Sequence, residues 1–485
     1  MRKRAYRAVA IKCVNVNELL PNFAEGLVRV GVDVAKKELF VTLLDSSGVF
    51  QRPWKVKQPS EIGQLVQCLK SLSEARPVLV AMESTGTYGD CLRQSLTDAG
   101  LVAHRVSAKA VKDYSETFDG VPSNHDGKDA AIIAELLWFG KSKAWPSVPL
   151  SEWEAKVERQ VAWLDTQQDI LVVWLGRIEA LLARHWPELT SLLKLNSATL
   201  LRMLAHYGGP AAVAGCTEAQ KRIRKWGKVG LSEKKIQALL DSSRDTVGVR
   251  MANETMQVLQ DYAREAMKAR QEIRRAKQAL KKLATENENT MAMSHVVGAV
   301  TACVLWAAVG APQEFHCGEA YRKAMGLNLR ERSSGQHQGK LKITKRGSSL
   351  ARRWLYFAAL RLIQQQPVKA WYLKKKEKDH GRGSGAVVAV MRKLALAVYA
   401  VTTRKEPFDL KRLMPGKPYR AVRVQTTVPG GSPPDPQDLT LGAKNEASGA
   451  AENRSLTRPA SFPAPGTTLR SVPTVALSSA QVNNQ

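Results

Sequence analysis

The chain has 485 residues, 44% of them hydrophobic, with 73 Lys and Arg against 44 Asp and Glu and a formal net charge of +29. That length accommodates two or three domains with their own cores, and no apolar run approaches the ~20 residues of a membrane helix. Six cysteines are scattered without a CxxC pair, which argues against a zinc module and for reduced thiols in the cytosol. The charge surplus favours a polyanionic partner, since each phosphate contacted releases condensed counterions.

Residues 1–25 read as a flexible basic arm. Their start, Met1-Arg2-Lys3-Arg4-Ala5-Tyr6, has no continuous apolar stretch ending in a cleavage site, so a secretory signal is not expected. From residue 26 to about 150 the pattern is mixed α/β. Strands are expected over 27–33, 38–45 and 49–56, with a turn at Asp45-Ser46-Ser47-Gly48 between the last two. A helix capped by Ser60 follows through Ile62, Leu65, Val66, Leu69 and Leu72. Then come a strand at 78–83, a helix near 89–99, a strand at 101–106 and helices near 108–117 and 126–139. A three-stranded meander followed by alternating helices and strands is the element order of an RNase H-like domain.

The texture changes at Ser151, which can form a capping box with Glu154. Val157, Val161, Leu164, Leu171, Leu175, Ile178 and Leu182 hold a seven-residue register, with Gln168 its polar member. Leu259, Tyr262, Ala266, Ala269, Ile273, Ala276, Leu280 and Leu283 repeat that spacing. Residues 151–293 therefore read as an antiparallel coiled-coil arm or dimerisation element, with a packed helix pair of one bundle as the alternative. Residues 294–415 read as a second, mostly α-helical unit. There Val296-Val297-Gly298-Ala299-Val300 suits either a phosphate-binding helical hairpin or close helix packing. Residues 416–485 are rich in Pro, Gly, Ser, Thr and Ala and are expected to be disordered.

Four carboxylates stand out in this basic chain. Asp33 closes the first strand, Glu83 closes the strand at 78–83, and Asp126 and Asp129 sit at i and i+3 near a helix start. The last two share one helix face, with Cβ atoms about 5–6 Å apart. Acids in that position also simply complement a helix dipole, and for this pair alone that is the better reading. Asp33 alone suits a strand-end turn, and Glu83 alone a loop cap. The four together, in strand, strand, helix order, suit Mg²⁺ or Mn²⁺, which prefer hard oxygen ligands and stabilise phosphoryl displacement.

The segments Val30-Gly31-Val32-Asp33-Val34-Ala35-Lys36, Met82-Glu83-Ser84-Thr85-Gly86-Thr87-Tyr88 and Asp126-Gly127-Lys128-Asp129-Ala130 resemble the three motifs of the DEDD-type insertion-sequence transposases and the related Piv-type DNA invertases. One departure is Asn124-His125, where many members carry Lys-Thr or Lys-Asn. The second half of the resemblance runs from Val296 through Tyr321-Arg322-Lys323-Ala324-Met325-Gly326-Leu327 to Ser333-Ser334-Gly335 and on to Gly347. It implies a RuvC-like first domain with Asp33, Glu83, Asp126 and Asp129 as metal ligands. It further implies a C-terminal transposase domain whose nucleophile is Ser334 rather than Ser333.

A serine hydroxyl needs a base, a metal or a stabilised target to attack. Lys340, Lys342, Lys345, Arg346, Arg352 and Arg353 are the candidate nucleic-acid contacts, in a stretch (322–378) with sixteen Lys or Arg and only Glu331 and Glu377 as acids. His337 reads as a solvated loop residue, and Trp354 and Phe357 as core. The resemblance implies metal-dependent DNA cleavage and strand exchange through a serine-linked intermediate. Its expected partners are element and target DNA, a structured non-coding RNA, and further copies of the chain in a homo-oligomer, such as a dimer of dimers, in the cytosol. A RuvC-like nuclease using water and a non-catalytic basic coiled-coil protein are the rival readings.

Overall fold

The computed structural model describes residues 7–83, 86–120, 125–145, 150–331, 339 and 341–414. The expected disordered tail, 416–485, lies outside the described residues. A mixed sheet organises the first domain. Its strands are β1 (Val9–Ala10), β2 (Val28–Val34), β3 (Glu38–Leu44), β4 (Trp54–Lys57), β5 (Val78–Glu83), β6 (Val102–Val106) and β7 (Ser142–Ala144), in the spatial order β1-β4-β3-β2-β5-β6-β7. β2, β3 and β4 form an antiparallel meander, and β5 then β6 add in parallel beside β2. That central order, meander first and crossovers after, is the RNase H-like arrangement.

Alternation explains the layers. Val28, Val30 and Val32 of β2 and Leu39, Val41 and Leu43 of β3 point to one face, where they bury against Leu65, Leu69 and Leu72 of the helix Ile62–Ala75 and Leu92 and Leu96 of Asp90–Asp98. The opposite face carries Ala81 and Val106 against Ile132, Ile133, Leu136 and Leu137 of the helix Asp126–Trp138, with Val111 of Ala108–Ser115 beside them.

Two expectations are corrected here. The basic arm, as far as it is described, is part of the domain: β1 pairs in parallel with β4, and Ile11 and Phe23 are buried in the core. The third meander strand begins at Trp54 rather than residue 49, because the chain first makes only a single bridge, Phe50 to Leu44.

Ser151 and Glu154 form the capping box, with Glu154 N–H donating to Ser151 Oγ at 3.2 Å and Ser151 N–H to Glu154 Oε2 at 3.0 Å. The helix they open, Glu152–His185, lies antiparallel to Asn253–Leu283. Val157, Val161 and Leu164 meet Ala276, Leu280 and Leu283, while Ile178 and Leu182 meet Leu259, Ala263 and Ala266. The polar residue buried on this seam is Gln167, and Gln168 is half-buried. The pair is not a bare arm. Helices between residues 188 and 244 cover one end through Leu200, Leu204, Ile236 and Leu239, and Cys303, Val304 and Trp354 cover the other.

The C-terminal unit packs the helices Glu288–Val297, Ala299–Val309, Ser349–Leu362, Val368–Lys378 and Gly383–Thr403 around one core. Gly383–Thr403 is long and apolar enough to match a membrane span. Its Val390, Leu394, Ala395 and Val398 are fully buried against neighbouring helices, so packing accounts for its composition. Trp354 is buried as expected, but Phe357 is 48% exposed and is not core.

Candidate active site

Parallel pairing brings two of the four carboxylates together. Val32 of β2 is in register with Met82 of β5, so the next residues, Asp33 one short of the end of β2 and Glu83 at the end of β5, lie on adjacent strands about 4.8 Å apart. The helix Asp126–Trp138 supplies the other two by crossing directly over β2. Gly31 permits that crossing: a Cβ there would stand 2.0 Å from the Ala130 carbonyl oxygen and 2.5 Å from the Ala134 nitrogen. Thr42 of β3 adds a tie, its hydroxyl donating to the Gly127 carbonyl at 3.3 Å. His125 caps the helix, its Nδ1 accepting from Gly127 N–H at 3.2 Å. Asp126 and Asp129 fill the first turn.

The charges register the convergence. Burial, then the charges of Asp129, Asp126 and Glu83, push the Asp33 carboxyl from 3.8 up to about 7. Asp129 is also raised, by burial and by Asp126, against the opposing pull of Lys128 and His125. Like-charged carboxylates in a partly desolvated site hold protons that solvated ones would lose. Lys128 is the partner that sequence reasoning missed. Its side chain is 1% exposed and its ammonium pairs with Asp119 at 2.6 Å. The signal was present in the Asp-Gly-Lys-Asp run, but a lysine beside two acids reads as a surface charge until its burial is seen.

Hard oxygen donors that repel one another are a fitting set for a divalent cation, which would replace the proton on Asp33. Among the described residues no three carboxylate, imidazole or thiol groups already stand at metal-ligating distance. The acids are near enough for their charges to act on Asp33, without forming a ready-made ligand set.

Ser334, its neighbour Ser333, His337 and Lys340 lie outside the described residues, as do Asn124, Ser84 and Thr85. The structure does describe the stalk on either side of the serine segment. Strands β8 (Leu329–Arg330) and β9 (Lys342–Ile343) pair antiparallel. Below them Thr344 N–H donates to Asn328 O at 2.9 Å, Lys345 N–H to Gly326 O at 3.0 Å and Ser348 N–H to Ala324 O at 3.0 Å. Gly326 and Gly347 are required at its base. Both have positive φ, and a Cβ on Gly347 would stand 2.2 Å from Ala324 O.

Arg352 clamps that base, its Nη1 donating to Met325 O at 3.0 Å and Gly347 O at 2.8 Å. Arg353 pairs with Asp165 and reaches Asp169 at 4.0 Å. Carboxylates thus offset the Arg353 charge within the chain, whereas Arg352 is held by carbonyls alone. Lys342, Lys345 and Arg346 remain on the stalk. Arg346 lies near enough to the helix Ala108–Ser115 to join the Lys109 hydrogen bond and charge in lowering Asp113.

The acids thus stand at the ends of the central strands of an RNase H-like sheet and at the start of the helix that crosses it. Family comparisons find likenesses over parts of the chain. A DEDD-type, IS110-group profile described as "Transposase" matches residues 30–153, and one described as "Transposase IS116/IS110/IS902 family" matches 291–373. The transposase for insertion sequence element IS1111A of Coxiella burnetii is 31% identical over 135 residues, which is 27% of this chain and 37% of that protein.

Among solved structures, Thermus thermophilus RuvC is similar over 24% of this chain and 99% of its own, at 16% identity and a TM-score of 0.20. The T. thermophilus RuvC complex with a Holliday junction substrate gives the same coverage and TM-score at 15% identity. The fold assignment rests on strand order, not on that score. The two family matches lie in order along the chain, and each covers less than half of it.

Proposed function

We propose that the chain is the transposase of a mobile insertion element, cleaving and rejoining DNA with a divalent cation and a serine nucleophile. The observation that supports this reading is the mutual charge effect that places Glu83, Asp126 and Asp129 near Asp33, beside the strand ends of the sheet. A bound Mg²⁺ or Mn²⁺ would polarise the scissile phosphate and neutralise charge developing on it. Asp33, Glu83, Asp126 and Asp129 hold and orient that cation. Ser334 Oγ attacks the phosphorus, forming an O–P ester as the bridging P–O bond breaks. The serine proton passes to solvent, and the departing strand leaves as an alkoxide that takes a proton from solvent to become a hydroxyl. Lys342, Lys345 and Arg346, with Lys340, hold the DNA backbone at the serine hairpin.

The proposal extends to partners. A second copy of the chain supplies the serine domain to the carboxylates in a homo-oligomer, and a structured RNA encoded by the element selects the DNA. The site of action is the cytosol, at the nucleoid. The excess of Lys and Arg over the whole chain supports a polyanion partner.

Trapping tests the reading. The full chain, DNA flanking its gene and RNA transcribed from that DNA are incubated with Mg²⁺ and denatured. The expected product is a covalent protein–DNA adduct, absent with EDTA and in Ser334→Ala and Asp33→Asn. An adduct that survives Ser334→Ala would remove the assigned nucleophile. Cleavage without any adduct would instead favour hydrolysis by the carboxylate site alone.

A further inference from the structure

Cations on the helix Asn253–Leu283 include two sets, with Lys282 in neither. In one, Arg264 pairs with Asp261 at 2.6 Å, Lys268 with Glu265 at 2.7 Å and Arg275 with Glu272 at 2.6 Å. In the other, Arg270, Arg274, Lys277 and Lys281 follow at steps of four, three and four residues, the spacing that stacks side chains on one helix face. Among the described residues no ion pair engages any of these four. At ~1.5 Å per residue the row is about 16 Å long.

A neighbouring element lengthens it. Arg361, on the helix Ser349–Leu362, donates through Nη2 to Val297 O at 3.1 Å and to Thr301 Oγ1 at 3.4 Å, and its charge falls on Lys277. Burial, then Arg361 and Lys281, lowers the Lys277 ammonium below the ordinary lysine value. Burial and Arg274 do the same to Arg270. Lys277 Nζ lies 5.8 Å from the centre of the Trp354 ring, which is itself fixed in the core. These like charges are therefore held together by packing, and among the described residues no ion pair with a carboxylate offsets that cost.

We propose that Arg270, Arg274, Lys277, Lys281 and Arg361 form a phosphate rail that grips the backbone of a nucleic-acid duplex. Each strand of duplex DNA carries one charge per roughly 3.4 Å of axis, so a row of about 16 Å faces about five phosphates. A regular row suits a regular polyanion better than the irregular acids of a protein surface. The rail deepens the reading above by naming a second surface for the nucleic-acid partner, on elements other than those that carry the carboxylates.

The test measures binding in EDTA, where cleavage plays no part. The full chain is titrated with a random-sequence DNA duplex and with an RNA duplex of the same sequence, by fluorescence anisotropy across a salt series. Arg274→Gln/Lys281→Gln and Lys277→Gln/Arg361→Gln are each expected to weaken binding. Each should flatten the slope of log K against log salt by about 1.8 on DNA, at ~0.9 per phosphate.

Arg264→Gln/Lys268→Gln, which removes the paired cations, should leave that slope unchanged. A loss confined to one probe supports the rail and assigns its partner as DNA or as RNA. Parental affinity and slope in both rail variants on both probes, with unchanged melting, would overturn it. If Lys277→Gln/Arg361→Gln fails to fold, the exposed pair Arg274 and Lys281 decides alone. Absence of an adduct in the trapping experiment would bear on the proposed function and leave this result standing.

Discussion

Asp33 shows how one residue can carry both a stability term and a binding term. Its carboxyl keeps a proton in the folded chain up to about pH 7, whereas an unfolded aspartate loses it near 4. Between those values the native state binds more protons than the unfolded state, so this contribution is fully present below about pH 4 and is lost as pH rises through 7. We predict that Asp33→Asn removes that decline: the melting-temperature difference between variant and parent should widen in the variant's favour from pH 5 to pH 8. Mg²⁺ should raise the parent's melting temperature more at pH 8 than at pH 5.5, because proton and cation compete for the same oxygens.

Two neighbours set the geometry on which this rests. Gly31→Ala drives a methyl group into backbone atoms that cannot rotate away, and a loss of about 3 kcal/mol or more is expected in urea unfolding. Lys128→Ala removes the ammonium from Asp119 and leaves a gap where a side chain 1% exposed was packed, and a cost of about 3 kcal/mol is expected, with Lys128→Met costing less because it keeps the stem.

At the scale of elements, the central strands and the helices around them were legible because side-chain alternation and helical periodicity are local properties. β1 was not, since two residues pairing at an edge leave no periodic trace and the neighbouring charges suggested an exposed arm. The four carboxylates were singled out because they stand at the ends of expected elements and match the motifs that the family resemblance supplies. Gly31 and Lys128 were missed because their roles depend on what crosses above them in space. Arg352 and Arg353 carry charge that sequence displays, but the carbonyls and carboxylate that engage them are distant along the chain.

The serine hairpin gives the corresponding prediction. Arg352→Gln removes the clamp between Met325 and Gly347 and should reduce adduct formation at least tenfold while leaving duplex affinity within about twofold, a split that corresponds to about 1.4 kcal/mol in positioning. Both bonds come from one nitrogen, so Arg352→Lys, which keeps a donor on a shorter stem, should restore adduct formation only in part.

Across the whole molecule, the account joins an acidic site to a basic chain. A net charge of +29 draws phosphate backbones to the surface, and the carboxylates hold back the one place where a cation must enter. If that is their work, cation binding at neutral pH must displace the proton that the crowded site keeps on Asp33. Calorimetric titration of Mn²⁺ into the full chain at pH 7, in two buffers of different ionisation enthalpy, counts that proton. The predicted result is release of about half a proton per bound ion from Asp33, by the ordinary linkage of metal and proton binding, and loss of both the release and the tight binding in Asp33→Asn. Binding of equal affinity with equal proton release in that variant would contradict the assignment of the four acids as the metal site.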